Sequence, residues 1–165
     1  MSRFSPPNPY VLAPMTTYSS QPDGVLSADE EPYLERRAKG GFGTVTTAAC
    51  AVHPSGKAFI GQWASWSDEF IPSLRRAVEA IRRGNPDALA ILQIHHGGRS
   101  CPQDLPEGGP IAPSAIPAER PGSSIPREMT AEEIVRSVDD YAQAARRGIE
   151  AGFDGVEIHG ANTYL

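Results

Sequence analysis

Four short apolar runs punctuate the chain, YVLAPM at 10–15, GTVTTAA at 43–49, ALAILQIH at 88–95 and GVEIHG at 155–160, with a helical pattern between each and the next. Their apolar character is continuous rather than alternating, which is what strands covered on both faces require. Strand and helix repeating in this way build right-handed βαβ units on a parallel sheet. Two architectures satisfy that pattern, an open doubly wound sheet and a closed (β/α) barrel. The 165 residues suffice for one domain with its own core, or part of one, and are too few for two comfortable ones.

The helices are marked at their ends. Ser27 is placed to cap a first helix through SADEEPYLERRAKGG, acidic in its first turn and basic before Gly40 and Gly41. Ser67 opens SDEFIPSLRRAVEAIRRG, where Phe70, Leu74, Ala77, Val78 and Ile81 fall on one stripe and Gly84 closes the segment. Thr130 and Glu133 have the capping-box spacing, and a third helix runs through Ile134, Val138, Tyr141, Ala142 and Ala145 towards Gly152. Between the third strand and this helix, at about 97–129, the chain has little periodicity, with seven prolines from Gly97 to Arg127. It reads as a long loop inside the repeat rather than a linker between domains, and long loops after strands tend to carry function.

A formal charge of −5 with no Lys/Arg-rich block argues against nucleic acid or an anionic membrane surface as partner. No apolar run approaches the roughly 20 residues of a membrane span. MSRFSPPNPY at 1–10 lacks the apolar segment of a secretory signal, so a cytoplasmic protein is expected. Cys50 and Cys101 are the only cysteines, with no CxxC and no zinc-like spacing. They read as ordinary thiols, and no metal is expected. A small-molecule substrate remains.

In parallel sheets the ligand lies at the carboxyl ends of the strands. Those ends are Pro14-Met15-Thr16-Thr17-Tyr18, Thr47-Ala48-Ala49-Cys50, Gln93 to Arg99, and His159 to Tyr164. Within LQIHH, Gln93 and His95 share one strand face and His96 begins the loop. A buried Gln93 amide needs hydrogen-bond partners, which a structural neighbour or a bound heterocycle would supply equally well. His95 by itself reads as a core histidine, and His95 and His96 point apart, a poor metal pair. Arg99 suits an anion or a flavin edge as well as it suits a solvated loop. His159 and Asn162, three apart, set two neutral donors where charge developing on a carbonyl or nitro oxygen would need them. Tyr164 follows close by as a proton donor.

Together, APMTTYS at 13–19, LQIHHGGR at 92–99, PREMTAEEI at 126–134 and AGFDGVEIHGANTYL at 151–165 closely resemble the old yellow enzyme family of FMN-dependent ene-reductases, in order and along the whole chain. The resemblance, not the periodicity, selects the barrel: an α/β chain carrying roughly the first four βα units of a (β/α)8 TIM barrel. It implies FMN as cofactor, NADPH or NADH as reductant, and an alkene activated by a carbonyl as substrate. By the same resemblance Pro14, Met15 and Thr16 lie against the flavin, with Thr16 touching its carbonyl. Ala49 leaves the flavin room, and Gln93 binds its pyrimidine edge. His159 and Asn162 match the pair that holds the substrate oxygen, Tyr164 the residue that delivers a proton to the α-carbon, and Tyr18 a substrate-pocket tyrosine of some subgroups.

The family's barrel has eight strands, with a flavin-contacting arginine and phosphate-binding loops in its later half. The expectation is therefore that this polypeptide alone binds FMN weakly and turns over slowly or not at all. Open sheet edges would favour a homo-oligomer or pairing with a C-terminal half. Two other readings stay open: a non-catalytic half barrel that self-associates or binds flavin weakly, and a dienoyl-thioester reductase-like member whose iron-sulfur domain lies beyond residue 165.

Overall fold

The structure, a computed structural model, describes residues 5–165. Met1–Phe4, part of the segment weighed above against a secretory signal, lie outside these residues. Strands β1 (Val11–Leu12), β2 (Thr44–Thr46), β3 (Cys50–Ala51), β4 (Trp63–Ala64), β5 (Leu89–His95) and β8 (Gly155–Ile158) form one sheet, every pair parallel. A second, two-stranded ladder joins β6 (Ile111–Ala112) to β7 (Arg127–Glu128) within the proline-rich stretch.

The expected second strand is interrupted. Thr46 pairs with Ile91 and Cys50 with Ile94, so Thr47, Ala48 and Ala49 stand opposite only Leu92 and Gln93. The extra residue makes β2 and β3 one strand broken by a bulge, the usual way a strand is bent at a barrel rim. β1 flanks its lower half and β4 its upper half, while β8 lies along the other side of β5. β4, in GQWASW, was not anticipated, because two residues carry no periodicity.

Helices α1 (Glu30–Lys39), α2 (Ile71–Gly84) and α3 (Ala131–Ala151) pack side by side, α1 on α2 and α2 on α3. All three therefore cover one face of the curled sheet, as in a barrel; a doubly wound sheet would divide them between two faces. Leu34, Leu74, Ile81, Val45 and Leu92 fill the interface. Where α2 meets α1, a Cβ on Gly84 would stand 2.3 Å from the Glu35 carbonyl oxygen, so only glycine fits. The carboxylate of Asp154 accepts from Arg82 at 2.5 Å and from the Ala90 N–H at 2.8 Å, tying the end of α2 to the starts of β5 and β8.

Ser67 caps the short turn Asp68–Phe70 that leads into α2, and Thr130 with Glu133 closes a capping box on α3, both as read from sequence. Gly152 ends α3 in the left-handed region, φ 107°. Ile134 and Val138 stay exposed, and Ala144, Gly148 and Ala151 form the packed face. No helix among the described residues is long and apolar enough to cross a membrane.

Ser27 does not cap α1. The helix starts at Glu30 after Asp29, with no side-chain cap, and the Ser27 hydroxyl is buried without a partner among the described residues. The reason is Glu30 itself, 1% exposed, whose Oε1 accepts from Ser19 Oγ at 2.8 Å, from Trp63 Nε1 at 3.1 Å and from the Thr17 hydroxyl. This inward carboxylate fixes the first turn and tethers the 13–19 segment to the body of the fold. Glu30→Leu would leave the Trp63 N–H and two hydroxyls without an acceptor, at a cost of about 3 kcal/mol. Urea denaturation measures this, and an unchanged midpoint would contradict it.

Candidate functional site

The carboxyl ends of the strands converge on a cavity of about 420 Å³ lined by Pro14, Thr16, Ala49, Phe59, Gln93, His95, Glu157 and Ile158, and by His159, Gly160, Ala161, Asn162 and Tyr164 of the final turn. Each strand supplies its part by register. The bulge brings Ala49 to the wall, and Gln93 and His95, two apart on β5, face it together. β8 delivers Glu157 and hands the chain to His159, whose N–H donates to the Ile94 carbonyl at 3.0 Å.

Gln93 is 7% exposed; its Nε2 donates to Glu157 Oε1 at 2.7 Å and its backbone N–H to Thr47 Oγ1 at 3.2 Å. A carboxylate only accepts, so the amide orientation is fixed and Gln93 Oε1 is left as an acceptor for the cavity. His95, His159 and Tyr164 form a mutually tilted trio, with ring centroids 4.4 Å apart for His95–Tyr164, 4.9 Å for His159–Tyr164 and 5.2 Å for His95–His159. His159 Nδ1 accepts from the Ala161 N–H at 3.4 Å, which leaves its ring proton on Nε2. Burial first, then the neighbouring His159 and His96, pushes the His95 imidazole down to about 3, so it is uncharged at neutral pH.

His96 points away from the cavity, its Nδ1 accepting from the Gly98 N–H at 3.1 Å and its Nε2 3.1 Å from Ser55 Oγ. Arg99 faces neither an anion nor the cavity. It braces the loop, donating to the carbonyls of Thr163 and Pro117, each at 3.3 Å. Of the residues singled out from sequence, Met15 and Tyr18 are not on the cavity wall: Met15 is exposed, and Tyr18 is exposed and packs tilted against Phe59, ring centroids 4.7 Å apart. Gln62, Phe59 and Glu157 were missed; Gln62 reaches His95 from 33 positions away, a distance no local pattern reports. Cys50 and Cys101 are unpaired and buried, with both thiols pushed up to about 12 by burial, too high for reactivity at neutral pH.

The final turn is strained. Asn162 and Thr163 both hold positive φ, 58° and 60°, and a β-branched side chain is especially disfavoured there. Thr163→Gly keeps the carbonyl that Arg99 uses and is expected to raise stability by about 1 kcal/mol. A urea midpoint that fails to rise would show that the strain is absent.

The sequence profile of the NADH:flavin oxidoreductase / NADH oxidase family matches residues 7–165. The chain belongs to that family. Among the flavin oxidoreductases it resembles is a probable NADH-dependent flavin oxidoreductase of Bacillus subtilis, YqiG, 46% identical over 159 residues that make up 96% of this chain and 41% of the relative. The NADH:fumarate oxidoreductase of Klebsiella pneumoniae is 43% identical over 96% of this chain and 17% of its own length. In three dimensions the old yellow enzyme homologue of Zymomonas mobilis matches with a TM-score of 0.87 at 31% identity, over 96% of this chain and 46% of the other. The chain thus spans less than half the length of these relatives. The old yellow enzyme resemblance and the TIM-barrel fold read from the sequence both hold for this chain.

Proposed function

We propose that this chain carries the cofactor face and substrate-activating residues of an FMN-dependent reductase of carbonyl-activated alkenes. The observation that carries the reading is the gathering around one cavity of Ala49 from the bulge between β2 and β3, Gln93 from β5, and His159, Asn162 and Tyr164 from the turn after β8. The donor set fits a flavin ring: Gln93 Oε1 can accept an N–H of a heterocycle edge, Ala49 leaves room, and Pro14 and Thr16 supply a wall. When bound, FMN supplies the hydride, taken from NADH or NADPH. His159 and Asn162 hold the substrate carbonyl oxygen and stabilise the negative charge that develops on it. Tyr164, packed against both histidines, is placed to give a proton to the α-carbon. The first four βα units hold these groups, and the later half of a full-length barrel would complete the phosphate grip.

The test is to add FMN to the purified chain, remove the excess, and follow the visible spectrum anaerobically on adding NADH or NADPH and then cyclohexenone. A retained flavin that bleaches and is reoxidised by the enone is expected of a working site. A colourless protein would mean that these residues do not hold flavin by themselves.

A further inference from the structure

Gln62 is fully buried beneath the cavity, with every polar atom of its amide engaged. Its Oε1 accepts from the Ala58 N–H at 2.7 Å, which fixes the amide orientation. Its Nε2 then faces the Ala49 carbonyl at 3.3 Å and His95 Nδ1 at 2.9 Å. Two N–H bonds meet two acceptors, so His95 Nδ1 presents its lone pair and the ring proton sits on Nε2. His95 lines the cavity, and Nε2 is not among the buried polar atoms left without a partner among the described residues. The cavity therefore offers an uncharged donor besides His159 and Asn162.

We propose that His95, held by Gln62 in its Nε2–H form, is a specificity-determining residue that selects substrates carrying a second carbonyl oxygen, such as cyclic imides and other ene-dicarbonyls. This rests on the reductase reading above. A substrate with a single carbonyl engages His159 and Asn162 and leaves the His95 N–H desolvated and unmatched, a penalty that a second oxygen removes. The Glu157 carboxylate in the same wall favours a neutral second acyl group over an anionic one. Gln62 is a positioning residue, acting only through His95.

The test compares succinimide with 2-pyrrolidinone, rings of one size that differ by a single carbonyl, on FMN-supplemented protein labelled with ¹⁵N-histidine. In the wild type the His95 proton is expected on Nε2, and succinimide should bind about tenfold more tightly while shifting that resonance. His95→Leu should bring the two affinities together. Gln62→Glu, whose carboxylate can only accept, should move the proton to Nδ1 and lose the preference with it. A wild-type Nδ1–H form, equal affinities, or binding of neither probe overturns the proposal. None of these readouts needs turnover. A chain that reduces no enone but keeps the Nε2–H form and the imide preference would sink the reductase reading alone; enone reduction with equal affinities would sink this one alone.

Discussion

Alanine at both His159 and Asn162 is expected to lower kcat for cyclohexenone reduction by roughly 10³-fold or more in FMN-supplemented protein, with flavin absorbance retained. One preorganised donor to a developing oxyanion is typically worth about 10²–10³ in kcat, and two donors on the same oxygen act as a unit rather than adding independently. The pair sits on the turn after β8, so its removal leaves Gln93 on β5 and Ala49 in the bulge in place. Anaerobic NADH oxidation with the enone as acceptor measures the loss, and bound-flavin absorbance is the control. A double variant as fast as the wild type would show that substrate is activated elsewhere.

Lowering the pH from 7 to 5 is expected to cost about 4 kcal/mol of folding stability, about 2 kcal/mol from each of two buried histidines. His95 is held down to about 3, by burial first and then by His159 and His96; His96 is held down to about 4, by burial and then by His53. Each is neutral when folded and titrates near its ordinary 6.5 when unfolded, so the unfolded chain takes up protons first. Stability is whole above about pH 6.5, falls as the pH drops, and levels only when the folded imidazoles charge near 4 and 3. Carboxylates act in a lower window: Glu133, held down to about 2 by Arg127 and the Thr130 N–H, matters only below its ordinary 4.5. Urea midpoints at the two pH values test the first window, and His95→Leu should remove about half of the drop. A flat profile would contradict the burial of neutral imidazoles.

Features written in neighbouring residues were legible in the sequence. The Thr130–Glu133 box and the Gly152 stop bracket α3 because both signals are local hydrogen-bonding rules. His159, Asn162 and Tyr164 could be grouped because one strand end carries all three. Features that depend on distant partners were not legible. Glu30 reads as one acid in an acidic first turn, yet its oxygen is taken by Trp63, 33 positions later, and that burial moved the helix start away from Ser27. The tautomer of His95 likewise depends on Gln62, an unremarkable polar residue until the chain folds it beneath β5. The segment carrying Met15 and Tyr18 follows the Glu30 tether instead of strand alternation, so those two side chains miss the cavity.

The extra residue between β2 and β3 bears on how this region can vary in length. Ala49 faces the cavity, whereas its neighbour Cys50 belongs to the apolar core. Deleting one position between Thr46 and Cys50 would let the two ladders fuse into one regular strand with both registers kept, so Cys50 would stay in the core and the residue before it at the cavity, but the bend that curls the rim would be lost. Substitutions among Thr47, Ala48 and Ala49 disturb one contact at a time; a shortened chain would disturb the whole rim. In this strand, residue count is under tighter constraint than residue identity.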